Sequence, residues 1–371
     1  MFANGETVIQ LFEQFAPKYY AVPDDRIGLQ LGTLQKEIKK VLVTLDVTDE
    51  VAEEAIALKA DLIIAHHAII FRPLVNLRTD LPAGRLYEKL LKADIAVYIA
   101  HTNLDVAEGG INDLLAEALG LSEVSCLEEI HTDKLRKLVV FVPEEHHERV
   151  MDAIFAAGAG FIGQYSHCSF HLPGTGTFKP QAGAKPYVGS IGNIEKVREV
   201  RIETIVPESL QKKVVAAMLA AHPYEEPAYD LYPLDLPGKA YGLGRVGRLP
   251  GAVKLRELAE TVKRSFAVSA VRVVGDLSRS IRKVAVLGGS GGRYVKHALL
   301  AGADVLITGD IDYHTAHDAL AAGLAIIDCG HHAEKIMKDK VAGVLREKLA
   351  EKQFATEIAV SAVNTEPFQF L

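Results

Sequence analysis

Three short apolar runs end in histidine or carboxylate side chains, and this pattern constrains the fold more than any other feature. The runs are Asp61-Leu-Ile-Ile-Ala before His66-His67, Ile95-Ala-Val-Tyr-Ile-Ala before His101-Thr-Asn-Leu-Asp105, and Leu324-Ala-Ile-Ile-Asp-Cys-Gly before His331-His332-Ala-Glu334. Runs that are apolar throughout are typical of parallel strands buried on both faces. In open α/β sheets the ligand site lies outside the carboxyl ends of the strands. The sequence therefore predicts an α/β fold whose strand ends assemble one polar site.

The residue types at these strand ends favour a metal site. Adjacent histidines inside a strand point to opposite faces, and an isolated pair such as His146-His147 is usually a surface feature. Two pairs at strand ends, accompanied by carboxylates, instead match the ligand types of divalent metals. The candidate ligands are His66, His67, Asp105, His331 and Glu334.

This set of ligands exceeds the three that a catalytic zinc ion requires. Carboxylates can bridge two cations, and paired metals are a recurring hydrolytic arrangement. We therefore expect two divalent metal ions per chain, and the mixed nitrogen and oxygen set suits Zn, Fe, Mn or Ni without choosing among them. His101 and His314 are candidates for proton transfer. A helix through Asp310 and His314 would place both side chains on one face. A second, long helix is expected to begin at Glu334.

Composition limits the class of protein. A chain of 371 residues favours two or three domains, and its net charge of −7, without a dense basic cluster, argues against a general nucleic-acid or anionic-membrane binder. The opening Met1-Phe-Ala-Asn-Gly-Glu-Thr has no signal-peptide pattern. Three scattered cysteines indicate no disulfide framework, so we expect a cytoplasmic location.

One βαβ pattern occurs twice. A shift of 243 residues sets Val41 against Val284 and, without a gap, Ala60–His67 against Ala303–Asp310. All βαβ units look alike to some degree, but the shared Ala-Asp turn favours an internal duplication. Two α/β halves would then form one metal-binding domain, with Asp310 in the position of His67. The glycine-rich segment Gly288–Gly292 is either a tight turn or an anion site at a helix N-terminus.

The residues between the halves have a different character. They predict the order βαββαβ, which is typical of a ferredoxin-like α+β module. Because the metal ligands flank this module, we interpret it as an insertion. The predicted domains are a discontinuous metal-binding domain, 1–127 and 240–371, and an inserted domain, 128–239.

Several long motifs resemble the NIF-three-like dinuclear metal-centre family, whose bacterial branch is labelled GTP cyclohydrolase I type 2 homologue. In the predicted metal domain they are Ala65-His-His67, Tyr98-Ile-Ala-His-Thr-Asn-Leu-Asp105, Thr308-Gly-Asp-Ile-Asp-Tyr-His314 and Asp328-Cys-Gly-His-His-Ala-Glu334. In the insert, Gly163-Gln-Tyr-Ser-His-Cys-Ser-Phe170, Gly174-Thr-Gly-Thr-Phe178 and His222–Tyr232 resemble the longer members. The extra module of those members looks like the PII/CutA-type ferredoxin-like fold.

The resemblance implies a specific ligand arrangement. His66 and Asp105 would bind one metal, His67 and His331 the other, and Glu334 would bridge them. Two departures from the family pattern stand out. Ala68 replaces a proline common after the first His-His pair, and Glu334 follows His331 by three residues rather than four. Whether His331 or His332 binds metal therefore stays open.

The resemblance further implies a ring-shaped homohexamer and opening of the purine ring of GTP by water. No guanine-reading motif or phosphate loop is visible, so the residues themselves favour a two-metal hydrolase of a nucleotide-like or other phosphorylated small molecule. The alternative is a non-catalytic metal-binding regulatory assembly whose inserted domain senses a ligand. The sequence does not decide whether the chain is an enzyme.

Overall fold

The computed structural model describes residues 1–371 and divides the chain into two units. The first unit, here the discontinuous unit, comprises Met1–His131 and Tyr241–Leu371, and the second, the central unit, comprises Thr132–Ala240. No helix in either unit is both long enough and apolar enough to cross a bilayer.

The elements up to the first boundary alternate strands with short helices. They are β1 (Ala3–Asn4), α1 (Gly5–Glu13), β2 (Gly28–Leu31), β3 (Glu37–Ile38), β4 (Lys40–Thr44), α2 (Asp49–Ala57), β5 (Leu62–Ala65), α3 (Pro82–Lys92), β6 (Ala96–Ile99), α4 (Thr102–Val106), α5 (Ile111–Ala118) and β7 (Ser122–Asp133). Helix α2 begins where the sequence provides a cap, because the Thr48 side chain accepts a hydrogen bond from the Val51 amide.

The central unit follows the order strand, helix, two strands, helix, strand. Its elements are β8 (Leu135–Pro143), α6 (His147–Ala156), β9 (Ser169–Phe178), β10 (Glu195–Pro207), α7 (Gln211–Ala221) and β11 (Tyr229–Pro233). The sheet is antiparallel in the order β11-β8-β10-β9. Alternate residues of β8 and β10, including Val140 and Ile202, pack with α6 and α7 in a core of their own.

The remaining elements complete the discontinuous unit. They are β12 (Lys239–Lys254), α8 (Leu255–Ser265), β13 (Arg272–Val274), β14 (Ser280–Ser290), α9 (Val295–Leu300), β15 (Val305–Gly309), α10 (Tyr313–Ala321), β16 (Ala325–Asp328), α11 (Met337–Glu351) and β17 (Glu357–Val360). A 3₁₀ helix, His331–Ile336, links β16 to α11.

Two mixed sheets dominate this unit. One has the order β17-β4-β5-β6-β2, with the first four strands parallel, and the other has the order β13-β16-β15-β14-β12-β7, with β14, β15 and β16 parallel. Strands β5, β6 and β16 are buried on both faces, as their apolar runs predicted. Along β5, Leu62 and Ile64 belong to one apolar cluster while Ile63 and Ala65 belong to the other. Full burial of each such aliphatic side chain contributes about 1.5–3 kcal/mol.

The two parallel sheets share detailed hydrogen bonding at the 243-residue offset. Val41 pairs with Leu62 in one sheet, and Val284 pairs with Val305 in the other. Asp61 accepts hydrogen bonds from the amides of residues 39 and 40, and Asp304 accepts them from the amides of residues 282 and 283. In each sheet a buried "Ala-Asp" turn therefore ties two neighbouring strands together.

Two predicted helices differ from the structure. Helix α10 begins at Tyr313, because the Asp312 side chain caps it by accepting from the amides of residues 314 and 315. Asp310 precedes the cap in a left-handed conformation with φ of 56°, so it shares no helical face with His314. The long helix expected from Glu334 starts at Met337, and the preceding turn is 3₁₀.

Candidate metal centre

The His66-His67 pair lies immediately beyond β5, outside the strand itself. The amides of both residues donate to the Leu45 carbonyl at 3.1 and 3.0 Å, which bends the chain at the strand end. The two imidazole rings consequently lie on the same side, with centroids 4.9 Å apart. A pair that would diverge inside a strand converges because the strand stops at Ala65.

The other candidate ligands come from neighbouring strand ends. His101 follows β6, and Asp105 lies one turn later in α4. His331 and Glu334 lie in the 3₁₀ helix after β16, in the second sheet. The structure therefore brings residues from both sheets to one place, as the positions of the strand ends predicted.

Glu334 stands at the middle of the cluster. Its Oε2 atom lies 3.1 Å from His67 Nε2, 3.4 Å from His331 Nε2 and 3.6 Å from His66 Nε2. Asp105 Oδ1 lies 3.9 Å from His66 Nε2. Three groups of side chains have donor atoms within 4.8 Å of one another: His66 with His67 and His101, His67 with His331 and Glu334, and His66 with Asp105 and Glu334.

Each of these histidines is fixed through its Nδ1 atom. The partners are the Ala100 carbonyl for His66 (2.8 Å), Asp46 for His67 (2.6 Å), Asp25 for His101 (2.8 Å) and Asp310 for His331 (2.6 Å). Metal-ligating histidines characteristically use one ring nitrogen in this way, which sets the tautomer and leaves the other for the metal. For His66, the proton on Nδ1 donates to a carbonyl, so Nε2 offers a lone pair.

Two buried atoms at the centre have no hydrogen-bond partner. They are His66 Nε2 and Asp105 Oδ1, on side chains that are almost completely buried. A lone pair and a carboxylate oxygen that face each other in a dry site are both acceptors, and leaving them unsatisfied is costly. A divalent cation satisfies both, so the donor set fits a metal.

The electrostatics of the carboxylates reflect this crowding. Burial and the nearby Glu334 charge together raise the pKa of Asp105 to about 6, against the opposing effect of His66. Burial would also raise the pKa of Glu334, but the electrostatic effect of His66 and the hydrogen bond with His67 hold it well below its usual range. Glu334 is therefore the carboxylate that stays ionised at the centre.

The pKa values of the histidines depend on their carboxylate partners. Burial would lower the pKa of His67, but Asp46 and Glu334 raise it to about 10. Burial also opposes protonation of His101, whereas Asp25 and Asp105 raise its pKa. Without a cation, the proton on His67 thus partly balances the negative charges of Asp46 and Glu334, as a metal ion would.

The open question between the two histidines after β16 has a geometric answer. His331 faces Glu334, whereas His332 is buried with its Nδ1 atom 3.9 Å from Glu366. Burial lowers the pKa of His332, and the nearby charge of Lys335 lowers it further. Only His331 of this pair joins the cluster.

Other sequence candidates lie outside the cluster. His314 is exposed, packs edge-on against Tyr313, and belongs to none of the three groups of side chains. Cys329 donates its thiol to the Thr308 carbonyl at 3.3 Å, and burial raises its pKa to about 12, so it is not a thiolate. The glycine-rich segment Gly288–Gly292, which begins within the last residues of β14, lies against Glu334, because a Cβ at Gly289 would be 2.7 Å from Glu334 Oε1.

Sequence reasoning missed two carboxylates that hold the histidines. Asp46 lies two residues beyond β4, so the rule that located the other strand ends also applies to it. Asp25 lies in a loop between α1 and β2 with no surrounding pattern. Its pKa is held well below the usual range against the effect of burial, by hydrogen bonds from His101 and Thr102.

The cluster opens onto a cleft of about 970 Å³ within the discontinuous unit. Its walls include His67 and His331, the guanidinium of Arg272, and the rings of Phe368 and Phe370 near the C-terminus. The segment that carries these rings is tied to the site, because the Thr365 hydroxyl donates to Asp46. The two rings and the guanidinium are largely exposed to the cleft and solvent.

Comparison with known proteins gives one consistent result. A family model described as Duf34/NIF3 (NGG1p interacting factor 3) matches residues 3–367. A Bacillus subtilis protein named "GTP cyclohydrolase 1 type 2 homolog" is 56% identical over 368 residues, which covers 99% of each chain.

Solved structures agree with this result. The structure of a Bacillus cereus protein related to NIF3 is similar, with a TM-score of 0.94, 52% identity and full coverage of both chains. A Staphylococcus aureus protein is similar with a TM-score of 0.76 and 29% identity, covering 100% of this chain and 99% of the other. These proteins therefore share the fold over essentially their whole length.

Proposed function

The chain belongs to the Duf34/NIF3 family, and from this premise we propose that it is a dinuclear-metal protein that hydrolyses a nucleotide-like or phosphorylated small molecule. The observation that carries the proposal is the pair of buried, unpartnered atoms, His66 Nε2 and Asp105 Oδ1, beside Glu334. Relatives named as GTP cyclohydrolase 1 type 2 homologs support the hydrolytic part.

The ligand distances support a two-metal assignment. His66 and Asp105 would hold one ion, His67 and His331 would hold the other, and Glu334 Oε2 lies within 3.6 Å of all three imidazole Nε2 atoms, as a bridge requires. Two divalent ions in such a site polarise a substrate oxygen and lower the pKa of bound water.

The chain's own residues orient the site and move protons. Asp46 and Asp310 keep the Nε2 atoms of His67 and His331 aimed at Glu334. His101 holds a proton on Nδ1 against Asp25, and its ring lies 5.0 Å from that of His66. Because its pKa is raised and its ring is partly exposed, His101 is the group placed to accept or release a proton beside His66 and His67.

The adjoining cleft supports an anionic substrate with a flat apolar part. Arg272 uses Nη2 for the Ile311 carbonyl and Asp328, which leaves its remaining donors facing the cleft. Guanidinium groups bind phosphates and carboxylates, and aromatic rings stack on planar groups. Phe368 and Phe370 provide such rings on the same wall.

The architecture supports two further parts of the proposal. The identical strand register and the matching Asp61 and Asp304 hydrogen bonds favour a duplication of α/β halves within the metal-binding domain. The βαββαβ order and the sheet order β11-β8-β10-β9 favour an inserted ferredoxin-like domain.

We also propose a homohexamer on family grounds, which light scattering of the purified protein tests directly.

A second candidate function is a non-catalytic regulator whose inserted domain binds a ligand. A cavity of about 600 Å³ in the central unit favours it. The two functions differ in turnover: the hydrolase loses activity with His67→Ala, whereas the regulator binds an effector and shows no turnover with or without metal.

The deciding experiment measures metal per chain by mass spectrometry on protein without a histidine tag. We expect about two ions in the parent after reconstitution with Zn, Fe or Mn, and fewer in His66→Ala and Glu334→Ala. Hydrolysis of GTP and of p-nitrophenyl phosphate is then assayed on the same samples. A parent that binds no metal under any of these conditions would overturn the proposal.

A further inference from the structure

The central unit has a cavity of its own on the face of its sheet opposite the helices. Along β10, Val200 and Ile202 point into the core with α6 and α7, so Glu199 and Arg201 point to the other face. The cavity lies there, beneath the segments that follow β9 and α7. None of the proposed metal ligands belongs to it.

A buried carboxylate without a cationic partner forms the floor of this cavity. Glu199 is only 8% exposed, and its Oε1 atom accepts a hydrogen bond from the Tyr224 hydroxyl at 2.9 Å. The arginine two positions further along the same face of the strand, Arg201, instead pairs with Glu203 at 2.9 Å. A buried carboxylate that lacks a countercharge is costly unless a ligand supplies one.

The strand beside Glu199 leaves room for this carboxylate. A Cβ at Gly176 would lie 2.0 Å from Glu199 Oε2, so only glycine at this position of β9 lets the side chain lie across the sheet. The position of the buried Glu199 carboxylate therefore depends on residues of two adjacent strands, β9 and β10.

Aromatic rings form the walls. The ring centroids of Phe178 and Tyr187 lie 5.8 and 6.3 Å from that of Tyr224, and the ring of Phe141 also lines the cavity. Tyr187 is half-exposed, so a ligand from solvent can reach these rings. Aromatic faces attract cations because of the negative potential over the ring.

The charges at the rim balance one another. Lys179 and Lys185 line the opening together with Glu225 and Glu226, and the Lys185 amide donates to the Glu225 carboxylate. The charge left without a counterpart is that of Glu199 on the floor.

We propose that this cavity binds a small organic cation, with an ammonium or guanidinium group that donates to Glu199 Oε2 and an apolar part that packs on Phe178 and Tyr187. The site is separate from the metal ligands and goes beyond the proposed hydrolysis. It assigns the central unit the recognition of an amine-type ligand.

The test uses three probes of one shape and different charge: benzylamine, benzyl alcohol and benzoate. Their binding to the full-length protein is titrated by ligand-observed NMR at neutral pH. We expect benzylamine to bind at least tenfold more tightly than the other two, because only it supplies the missing positive charge. Equal or tighter binding of benzoate, or no binding of benzylamine, would overturn the proposal.

Two matched variants separate recognition from structure. Glu199→Gln retains an oxygen for the Tyr224 hydroxyl but removes the charge, so benzylamine affinity falls at least tenfold. Glu203→Gln, on the same strand and face, leaves the affinity unchanged. An unchanged affinity in Glu199→Gln would refute the role of the charge.

A third variant keeps the test decisive if Glu199→Gln does not fold. Tyr187→Leu changes a half-exposed residue and weakens benzylamine binding several-fold, through loss of the ring face. Tyr232→Leu, a similarly exposed tyrosine in β11 that does not line the cavity, is the control. Equal affinities in these two variants would exclude the aromatic wall.

Discussion

At the scale of single residues, the geometry of the candidate metal centre depends on atoms that are not themselves candidate ligands. Asp46, Asp310 and the Ala100 carbonyl each occupy the Nδ1 atom of one histidine and so aim its Nε2 atom at Glu334. Each of these partners comes from a different strand end than the histidine it contacts. No single segment of the chain therefore contains both a candidate ligand and the group that orients it.

The two adjacent histidines of the 3₁₀ helix provide a matched pair for mutation. His331→Ala removes an Nε2 atom 3.4 Å from Glu334 and should lower bound metal from about two ions to about one per chain. His332→Ala alters a ring that faces Glu366 and should leave the metal content unchanged. Mass spectrometry of both variants gives the answer, and metal loss in His332→Ala alone would contradict the assignment.

The raised pKa values predict how metal affinity depends on pH. Metal must displace the proton of His67, whose pKa is about 10, so affinity should rise about tenfold per pH unit between pH 6 and 8.5. Below about pH 6, Asp105, a proposed ligand of the other ion, also binds a proton, and filling of the two-ion centre should then depend on the release of two protons, one from each set of ligands.

Competition with a chelator of known affinity measures this dependence. The variant Asp46→Asn is the control, because it removes the carboxylate that raises the pKa of His67. In Asp46→Asn, the rise of metal affinity with pH should therefore level off at a lower pH than in the parent protein. A pH-independent affinity in the parent would contradict the proposed proton displacement.

At the scale of elements, the glycine-rich end of β14 leaves space for a side chain of the site. Gly289 has a φ of 65°, and a Cβ there would lie 2.7 Å from Glu334 Oε1. The amide of Gly288 donates to Asn112, whose own side chain donates to the Asp105 carbonyl. The glycine-rich segment Gly288–Gly292, which the sequence left as either a tight turn or an anion site, thus accommodates a carboxylate of the protein itself.

A glycine pair with matched backbone angles tests this role. Gly289→Ala should cost about 1–2 kcal/mol in the free energy of unfolding from its left-handed conformation and should also reduce bound metal by displacing Glu334. Gly302→Ala carries a similar backbone cost at φ of 67°, but no atom lies within 4 Å of its Cβ position. Denaturant unfolding and metal analysis should show similar destabilisation but metal loss only in Gly289→Ala.

At the scale of the whole molecule, each unit has its own apolar core, and the discontinuous unit contains every proposed ligand. The rings of His131 and Tyr241, at the two ends of the interruption, lie 6.2 Å apart. A short linker can therefore replace the residues between them.

Replacing Thr132–Ala240 by a short glycine-serine linker should leave metal binding at about two ions per chain. Circular dichroism and thermal unfolding check that the shortened protein is folded before metal analysis. A folded deletion protein that has lost its metal would argue against the insertion and would place part of the metal-binding function in the central unit.

Much of the fold could be predicted because it depends on local patterns. The apolar runs of β5, β6 and β16 are buried on both faces. The polar ends of β5 and β6 meet because these parallel strands end at one edge of one sheet, whereas the residues after β16 reach them from the second sheet. Helix starts were less accurate at α10 and α11, because capping by Asp312 and a 3₁₀ turn set them one turn later than the pattern indicated.

The sequence by itself determined which residue types stand at the strand ends, and it placed the chain in its family through long motifs. Only the tertiary structure decided that His331 rather than His332 faces Glu334, and that Asp25, Asp46 and Asp310 hold the histidines. Burial follows from the periodicity of neighbouring residues. The direction of a side chain, in contrast, depends on contacts such as that between His67 and Glu334, 267 positions apart, which no local pattern encodes.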